Sequence, residues 1–179
     1  MTLADTIALL RRHGPRAEAG REAAMLAEYF PFIAAHPDCL WRTCRDGHLT
    51  ASAWIVDRAR RRTLLTHHRK LDRWLQLGGH VDGEPDLAGA ALREALEESG
   101  LARLEAVSPE IFDVDRHSIP ARGPEPEHWH YDVRFLFEAD PAAALSVSHE
   151  SKDLAWVELT QVTALNPDES LARMVRKTR

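Results

Sequence analysis

The chain has 179 residues, 44% of them apolar and 28% charged, the proportions of an ordinary globular protein long enough to bury a real core. Its net charge of −5 argues against a nucleic-acid polymer as the partner, because such surfaces are usually basic. No apolar run approaches about 18 residues, so no membrane span is expected, and MTLADTIALLRRHG is too soon interrupted for a secretory signal, which makes the cytoplasm the expected compartment.

Leu3, Ile7 and Leu10 recur at helical spacing over 2–13, and His13-Gly14-Pro15 stops that segment. A second helix is expected from Arg16 to about Ala35, with Ala24, Leu26, Ala27 and Phe30 among its apolar residues and Pro31 and Pro37 interrupting or ending it. Residues 1–45 therefore read as an N-terminal helical extension, whose expected role is to cap the sheet or to pair in a homodimer. Cys39 and Cys44 fit neither a disulfide framework nor a common metal spacing, and are expected to be reduced thiols.

From residue 49 the texture changes. LTASAWIVD (49–57), TLLTHH (63–68) and the start of WLQLGGHV (74–81) read as strands, with Asp57 to Arg62 as a hairpin turn and Lys70-Leu71-Asp72 in the next connection. The arginines of 58–62 are read as a solvated turn. A helix should follow over Asp86–Ser99, capped by Asp86 and stopped by Gly100, with Leu87, Ala91, Leu92, Ala95 and Leu96 forming its buried side opposite the acids. Strands are expected near 104–117 and 129–138 and over Leu154–Leu159, with a Pro-rich loop at Ile119–Glu127 and a last helix over Ser170–Lys177. Strands, one helix, more strands and a final helix suggest an α/β fold with a mixed sheet.

Within the first of these helices lies Arg93-Glu94-x-x-Glu97-Glu98. Residues three and four apart share a helix face, so the three carboxylates should project to one side. Carboxylates that close repel one another unless a cation neutralises them, and hard oxygen donors suit Mg²⁺ or Mn²⁺ better than Zn²⁺.

The stretch from Gly79 to Leu101 resembles the Nudix box, G-x5-E-x7-R-E-U-x-E-E-x-G-U, with U a bulky aliphatic residue. Gly79, Arg93, Glu94, Glu97, Glu98, Gly100 and Leu101 match in register. Ala95 is small for its U position, and the early glutamate is displaced: Pro85 stands there, with Glu84 or Asp86 as the substitute. The flanking strand pattern extends the likeness to about 49–160.

The resemblance implies a Nudix-type α/β/α sandwich over residues 46–179. It implies a divalent-metal-dependent hydrolase, cleaving a diphosphate linkage in a nucleoside diphosphate derivative or similar small molecule by metal-activated water. Glu94 and Glu98 would be primary ligands, the Gly79 carbonyl a further one, Glu97 a ligand to a second ion or through water, and Arg93 the clamp on a glutamate. Glu150, ahead of the strand at 154, is the candidate general base. His80, His128, His130, Arg134 and Arg122 are candidates for substrate contact. On the strand, alternation puts His128, His130, Asp132 and Arg134 on one face and Trp129, Tyr131, Val133 and Phe135 on the other. His67, His68 and His117 add to the histidines, but no tight ligand spacing repeats, so a zinc site is not expected. Two other readings stand beside hydrolysis. One is a nucleotide-sensing module without turnover. The other is a diphosphate isomerase, which would need a cysteine where Gly78-Gly79-His80 stands.

Overall fold

The computed structural model describes Met1–Thr178. Its helices are α1 (Leu3–His13), α2 (Arg21–Ala35), α3 (Leu87–Ser99), α4 (Val162–Leu165) and α5 (Glu169–Lys177), with 3-10 turns at Gly14–Arg16 and Leu159–Gln161. Its strands are β1 (Gly47–Val56), β2 (Arg62–His68), β3 (Arg73–Leu75), β4 (Leu77–His80), β5 (Glu105–Ala106), β6 (Asp113–Ile119), β7 (His128–Glu138) and β8 (Ser151–Glu158). The strands hydrogen-bond in the order β3-β2-β1-β7-β5, with β4 on β1, β6 on β7 and β8 on β2. This is the expected α/β architecture with a mixed sheet and a helical N-terminal part. Among the described residues no helix is long and apolar enough to cross a membrane.

By Cα proximity the chain divides into two compact units. Unit 1 comprises Met1–Ala51, Gly79–Ala91 and Pro109–Phe135. The first helix starts on a capping box, in which the Thr2 side chain accepts from the Asp5 amide while Asp5 accepts from Thr2. Helix α2 runs through Pro31 to Ala35, against the expectation of a break. Pro31 and Ala27, whose carbonyl the proline leaves without its helical donor, both face solvent, so water can take that place. The buried stripe of α2 is Leu26, Tyr29, Phe32 and Ile33, whereas Ala24 and Ala27 are exposed. Phe32 stacks on Tyr131 at 4.0 Å, and the Tyr29 hydroxyl lies 2.7 Å and 2.8 Å from the Asp115 and Asp132 carbonyls. Buried Glu22 meets His13 at 2.8 Å and accepts from the amides of Glu18 and Val114, so the N-terminal helices are tied by polar bonds to β6.

Unit 2 comprises Ser52–Gly78, Leu92–Ser108 and Leu136–Arg179. Strand β2 pairs antiparallel with β1, β3 and β8, and β5 pairs with the end of β7. Trp54, Ile55, Leu64, Leu65 and Met174 are fully or almost fully buried, and the Trp54 indole donates to Thr178 at 2.8 Å. The arginine-rich turn is a hairpin as expected, closed by the Asp57 carboxylate accepting from the amides of Arg61 and Arg62. The single strand expected near 104–117 is instead the short β5 and the later β6, with SPEIF between them. Pro109 has no N–H to give a ladder.

Helix α3 ends on Gly100 at φ +67°, where an added Cβ would lie 2.5 Å from the Ser146 side chain. Gly100→Ala combines a left-handed backbone with a clash, so chemical denaturation should show a loss of about 2 kcal/mol or more. A variant as stable as the parent would mean that the helix end relaxes without cost.

Candidate active site

Asp86 caps α3 as expected, its carboxylate accepting from the Gly89 amide at 3.1 Å. Its place at the helix entry is thereby used structurally, while Glu84 is exposed. Within α3 the acids do not lie opposite the buried stripe. At about 100° per residue, Glu98 falls within roughly 20° of the direction set by Leu87 and Ala91. The structure buries it accordingly, at 7% exposure. Glu94 is partly buried and Glu97 mostly exposed.

The Glu98 carboxylate accepts the Gly78 amide at 3.0 Å. Burial nevertheless pushes its pKa up to about 7, and repulsion from Glu94 and Glu150 adds to this. The pKa of Glu94 is raised too, first by burial and then by Glu97 and Glu150, against the pull of Arg93. Arg93 donates to Glu94 at 2.7 Å and lies 3.7 Å from Glu97.

Glu150 thus belongs electrostatically to the same cluster as Glu94 and Glu98. Its loop is held by Arg69, whose amide donates to the Glu150 carbonyl at 2.9 Å. The Arg69 guanidinium reaches the carbonyls of His149 and Ser151 at 3.1 Å and 2.7 Å. His67 and His68 belong to unit 2 as well: His67 stacks on Trp74 and meets Asp72 at 3.0 Å, and His68 accepts from the Leu71 amide. A cleft of about 540 Å³ in this unit, lined by Arg58, Leu101, Arg103, Glu138 and Pro141 among others, contains none of the sequence-predicted site residues.

In unit 1, Gly79 and His80 close β4. His128 and His130 share a face of β7 with Asp132 and Arg134, as alternation predicts. That face is divided. Arg134 is 2% exposed and its guanidinium meets Asp132 at 2.8 Å, Asp113 at 3.0 Å and Asp115 at 3.5 Å. Burial opposes its charge, yet the three aspartates raise its pKa well above the ordinary value. A guanidinium so engaged is spent on the interior, which corrects the expectation that Arg134 contacts substrate. Arg122 lies exposed in the turn between β6 and β7, bonded through its backbone to Glu125.

The outer end of the face gathers imidazoles. His48 of β1, absent from the sequence reading, has ring centroids 4.9 Å from His80, 5.1 Å from His128 and 4.7 Å from His130. His117 lies 5.5 Å from His130 and meets the Asp115 carboxylate at 3.2 Å. A cavity of about 160 Å³ opens beside His48, His80, His128 and His130, with Arg42 and Glu125 also on its wall. Burial, with help from His80, lowers the pKa of His48 to about 4, and burial followed by His48 lowers that of His130 to about 2, so both are neutral imidazoles. What permits the cluster is Gly47, whose absent Cβ would lie 2.5 Å from the Trp129 carbonyl. Sequence spacing gave no signal for it, because His48 and His128 meet only once β1 and β7 are neighbours. Cys39 and Cys44 are both buried free thiols, as expected, and burial pushes Cys39 up to about 11.

The NUDIX domain family model matches residues 47–177. The chain belongs to the Nudix family. It carries the box and the fold of the Nudix-type pyrophosphohydrolases. Among solved structures, this Nudix chain is similar to an Ap4A hydrolase of C. elegans in a binary complex, at 20% identity and a TM-score of 0.53 over 72% of this chain and 93% of that one. A NUDIX-family hydrolase from Clostridium perfringens gives 23% identity and a TM-score of 0.52, covering 73% and 95%. The NUDIX domain of Shewanella oneidensis NrtR, complexed with ADP ribose, gives 17% and 0.52, covering 73% and 85%. At such identities the likeness is one of fold. No curated protein matches the chain.

Proposed function

We propose that this Nudix chain hydrolyses a diphosphate linkage in a nucleoside diphosphate derivative, or a similar X–diphosphate–Y compound, with Mg²⁺ or Mn²⁺ at Glu94 and Glu98. The observation that carries the reading is the burial of Glu98 on the box helix while Glu94 and Glu150 repel it. A carboxylate pushed toward neutrality by its own burial, with two others adding to the push, is a hard oxygen donor of the kind that suits a divalent cation. When bound, such a cation polarises phosphorus and acidifies a water. The chain's own residues do the rest. Gly78 orients Glu98 through its amide, and Arg93 holds Glu94 and Glu97 in their rotamers. Glu150, on a loop fixed by Arg69, is the proposed base that takes the proton from attacking water. Glu97 is the proposed ligand to a second ion or through water, and the Gly79 carbonyl the proposed further ligand. His80 and Arg122 are the proposed substrate contacts, with the closely related substrate classes of the family's solved members as the frame: an Ap4A hydrolase and an ADP-ribose complex are among the similar structures.

The test is a panel of nucleoside triphosphates, dinucleoside polyphosphates, sugar nucleotides and coenzymes, assayed with Mg²⁺ and Mn²⁺. Turnover of at least one, lost on chelation, is the expected result. Binding of a nucleotide without turnover of any would favour the sensing module instead.

The raised pKa of Glu98 has a pH consequence. Because the cation takes the carboxylate form, Mg²⁺ affinity should fall roughly tenfold per unit as pH drops below about 7, with protons released on binding. For the metal-free protein the sign is set by the folded pKa lying above the ordinary 4.5. Stability is fully present below that ordinary value and is lost as pH rises through about 7, on the order of 3 kcal/mol in all. Calorimetric Mg²⁺ titrations and denaturation curves across this range check both, and a flat pH dependence would contradict them.

A further inference from the structure

Among the described residues, the one group of three His, Cys, Asp or Glu side chains poised to share a cation is not in the box. It is His48, His128 and His130, whose donor nitrogens all lie within 4.8 Å of one another. We propose that these three histidines form a second metal site, selective for a late first-row divalent ion, zinc foremost.

The geometry argues for this in three ways. The Nε2 atoms of His128 and His130 are 3.3 Å apart. Two nitrogens bound tetrahedrally at about 2.05 Å from a zinc ion are separated by about 3.3 Å. The tautomer of His128 also suits a ligand, because its Nδ1 lies 2.9 Å from the Pro126 carbonyl, a bond that puts the proton on Nδ1 and leaves the Nε2 lone pair turned toward His130. A backbone carbonyl on the far nitrogen is the usual support of a metal-binding imidazole.

The third point is His48. It is 2% exposed, and neither of its ring nitrogens makes a hydrogen bond of proper geometry, although the Cys44 backbone is near enough to favour its protonated form. A buried polar group without a partner costs on the order of 1–3 kcal/mol, so such a ring needs a reason to be there. An N–H···N bond between His128 and His130 would satisfy that pair and leave at least one His48 nitrogen unanswered. A shared cation would take one lone pair from each of the three rings.

The chemistry of the donors sets the choice of ion. Three imidazoles and no carboxylate favour zinc and its neighbours over Mg²⁺, which takes oxygen. The 160 Å³ cavity beside the rings leaves room for a fourth ligand, a water or an anion. His117, held by Asp115 and adjoining His130, and His80 complete the imidazole wall around it.

The test uses the full chain with any affinity tag removed, stripped with chelator and dialysed. Zinc uptake is followed by competition against a chromophoric chelator, with excess Mg²⁺ present, and Co²⁺ spectra report the coordination. The wild type should take up one zinc ion that Mg²⁺ does not displace, with a Co²⁺ spectrum of nitrogen-rich tetrahedral type. His48→Gln and His128→Gln should each weaken uptake by at least about 100-fold, since even loss of an outer partner commonly costs 10- to 100-fold. His128 is the more exposed of the two, so its variant keeps the test valid where His48→Gln disturbs folding. Glu98→Gln should leave zinc uptake unchanged, which separates this site from the box. Overturning results are no stoichiometric zinc in the wild type, uptake unchanged in the folded His128→Gln protein, or uptake lost in Glu98→Gln.

Discussion

Glu98→Gln is expected to lower Mg²⁺-dependent turnover by at least about 100-fold, and Glu94→Gln to do the same, while both variants stay folded. The size follows from the role proposed: partners that merely orient a metal ligand commonly cost 10- to 100-fold when removed, so a ligand itself should cost more. Folding should survive because glutamine has nearly the same shape, and at position 98 its amide oxygen can still accept from Gly78. Stability should move the other way from activity. A buried carboxylate whose pKa is pushed to about 7 is held in its charged form at a cost above that pH. Glu98→Gln removes the cost, so the metal-free variant should melt no lower than the parent at alkaline pH, the trade between stability and activity common at functional sites. Steady-state kinetics with thermal melting measure both. Full activity in both variants would falsify the metal assignment.

Arg134→Met should be the most destabilising substitution proposed for the chain, at about 3–5 kcal/mol, the range for removing one partner of a buried ion pair. Asp113, Asp115 and Asp132 are 0%, 4% and 2% exposed and would remain in place around a shorter thioether with no charge. Thr50 donates to Asp132 at 2.9 Å, which keeps one acceptor satisfied but neutralises nothing. His117 stays on Asp115, but repulsion among the three carboxylates loses its main counterweight and should ease with acidification, so the deficit should shrink as pH falls. Urea denaturation at neutral and mildly acidic pH distinguishes this from simple loss of packing, which would show no such recovery. A change under about 1 kcal/mol would mean that the aspartates find other partners. Arg134→Lys should recover only part of the loss, since an ammonium cannot serve three carboxylates with a planar fork.

What the sequence disclosed depended on how local the determinant was. The box helix, its Asp86 cap and its Gly100 stop were legible because caps and turns are written in neighbouring residues. The hairpin at Asp57–Arg62 was legible for the same reason. Helical arithmetic also contained the burial of Glu98, but a reading that sorted residues by polarity placed the acids opposite the apolar stripe. Proline chemistry misled in α2, where solvent on the Pro31 side supplies what the helix lacks. The shared face of His128 and His130 was legible from strand alternation, but their meeting with His48 was not. Their partner His48 lies some eighty residues away, and only the pairing of β1 with β7 brings the rings together. Arg134 failed for a related reason: a strand face that alternates correctly says nothing about whether its far end meets water or three aspartates.

Arg69 grips residues 149–151 solely by their main-chain carbonyls, which every amino acid possesses. Position 150 can therefore exchange its side chain without loosening the segment that carries it. With Glu150 as the proposed base, a scaffold so arranged can retune its acid–base chemistry over evolutionary time by point replacement there, leaving the rest of the architecture untouched.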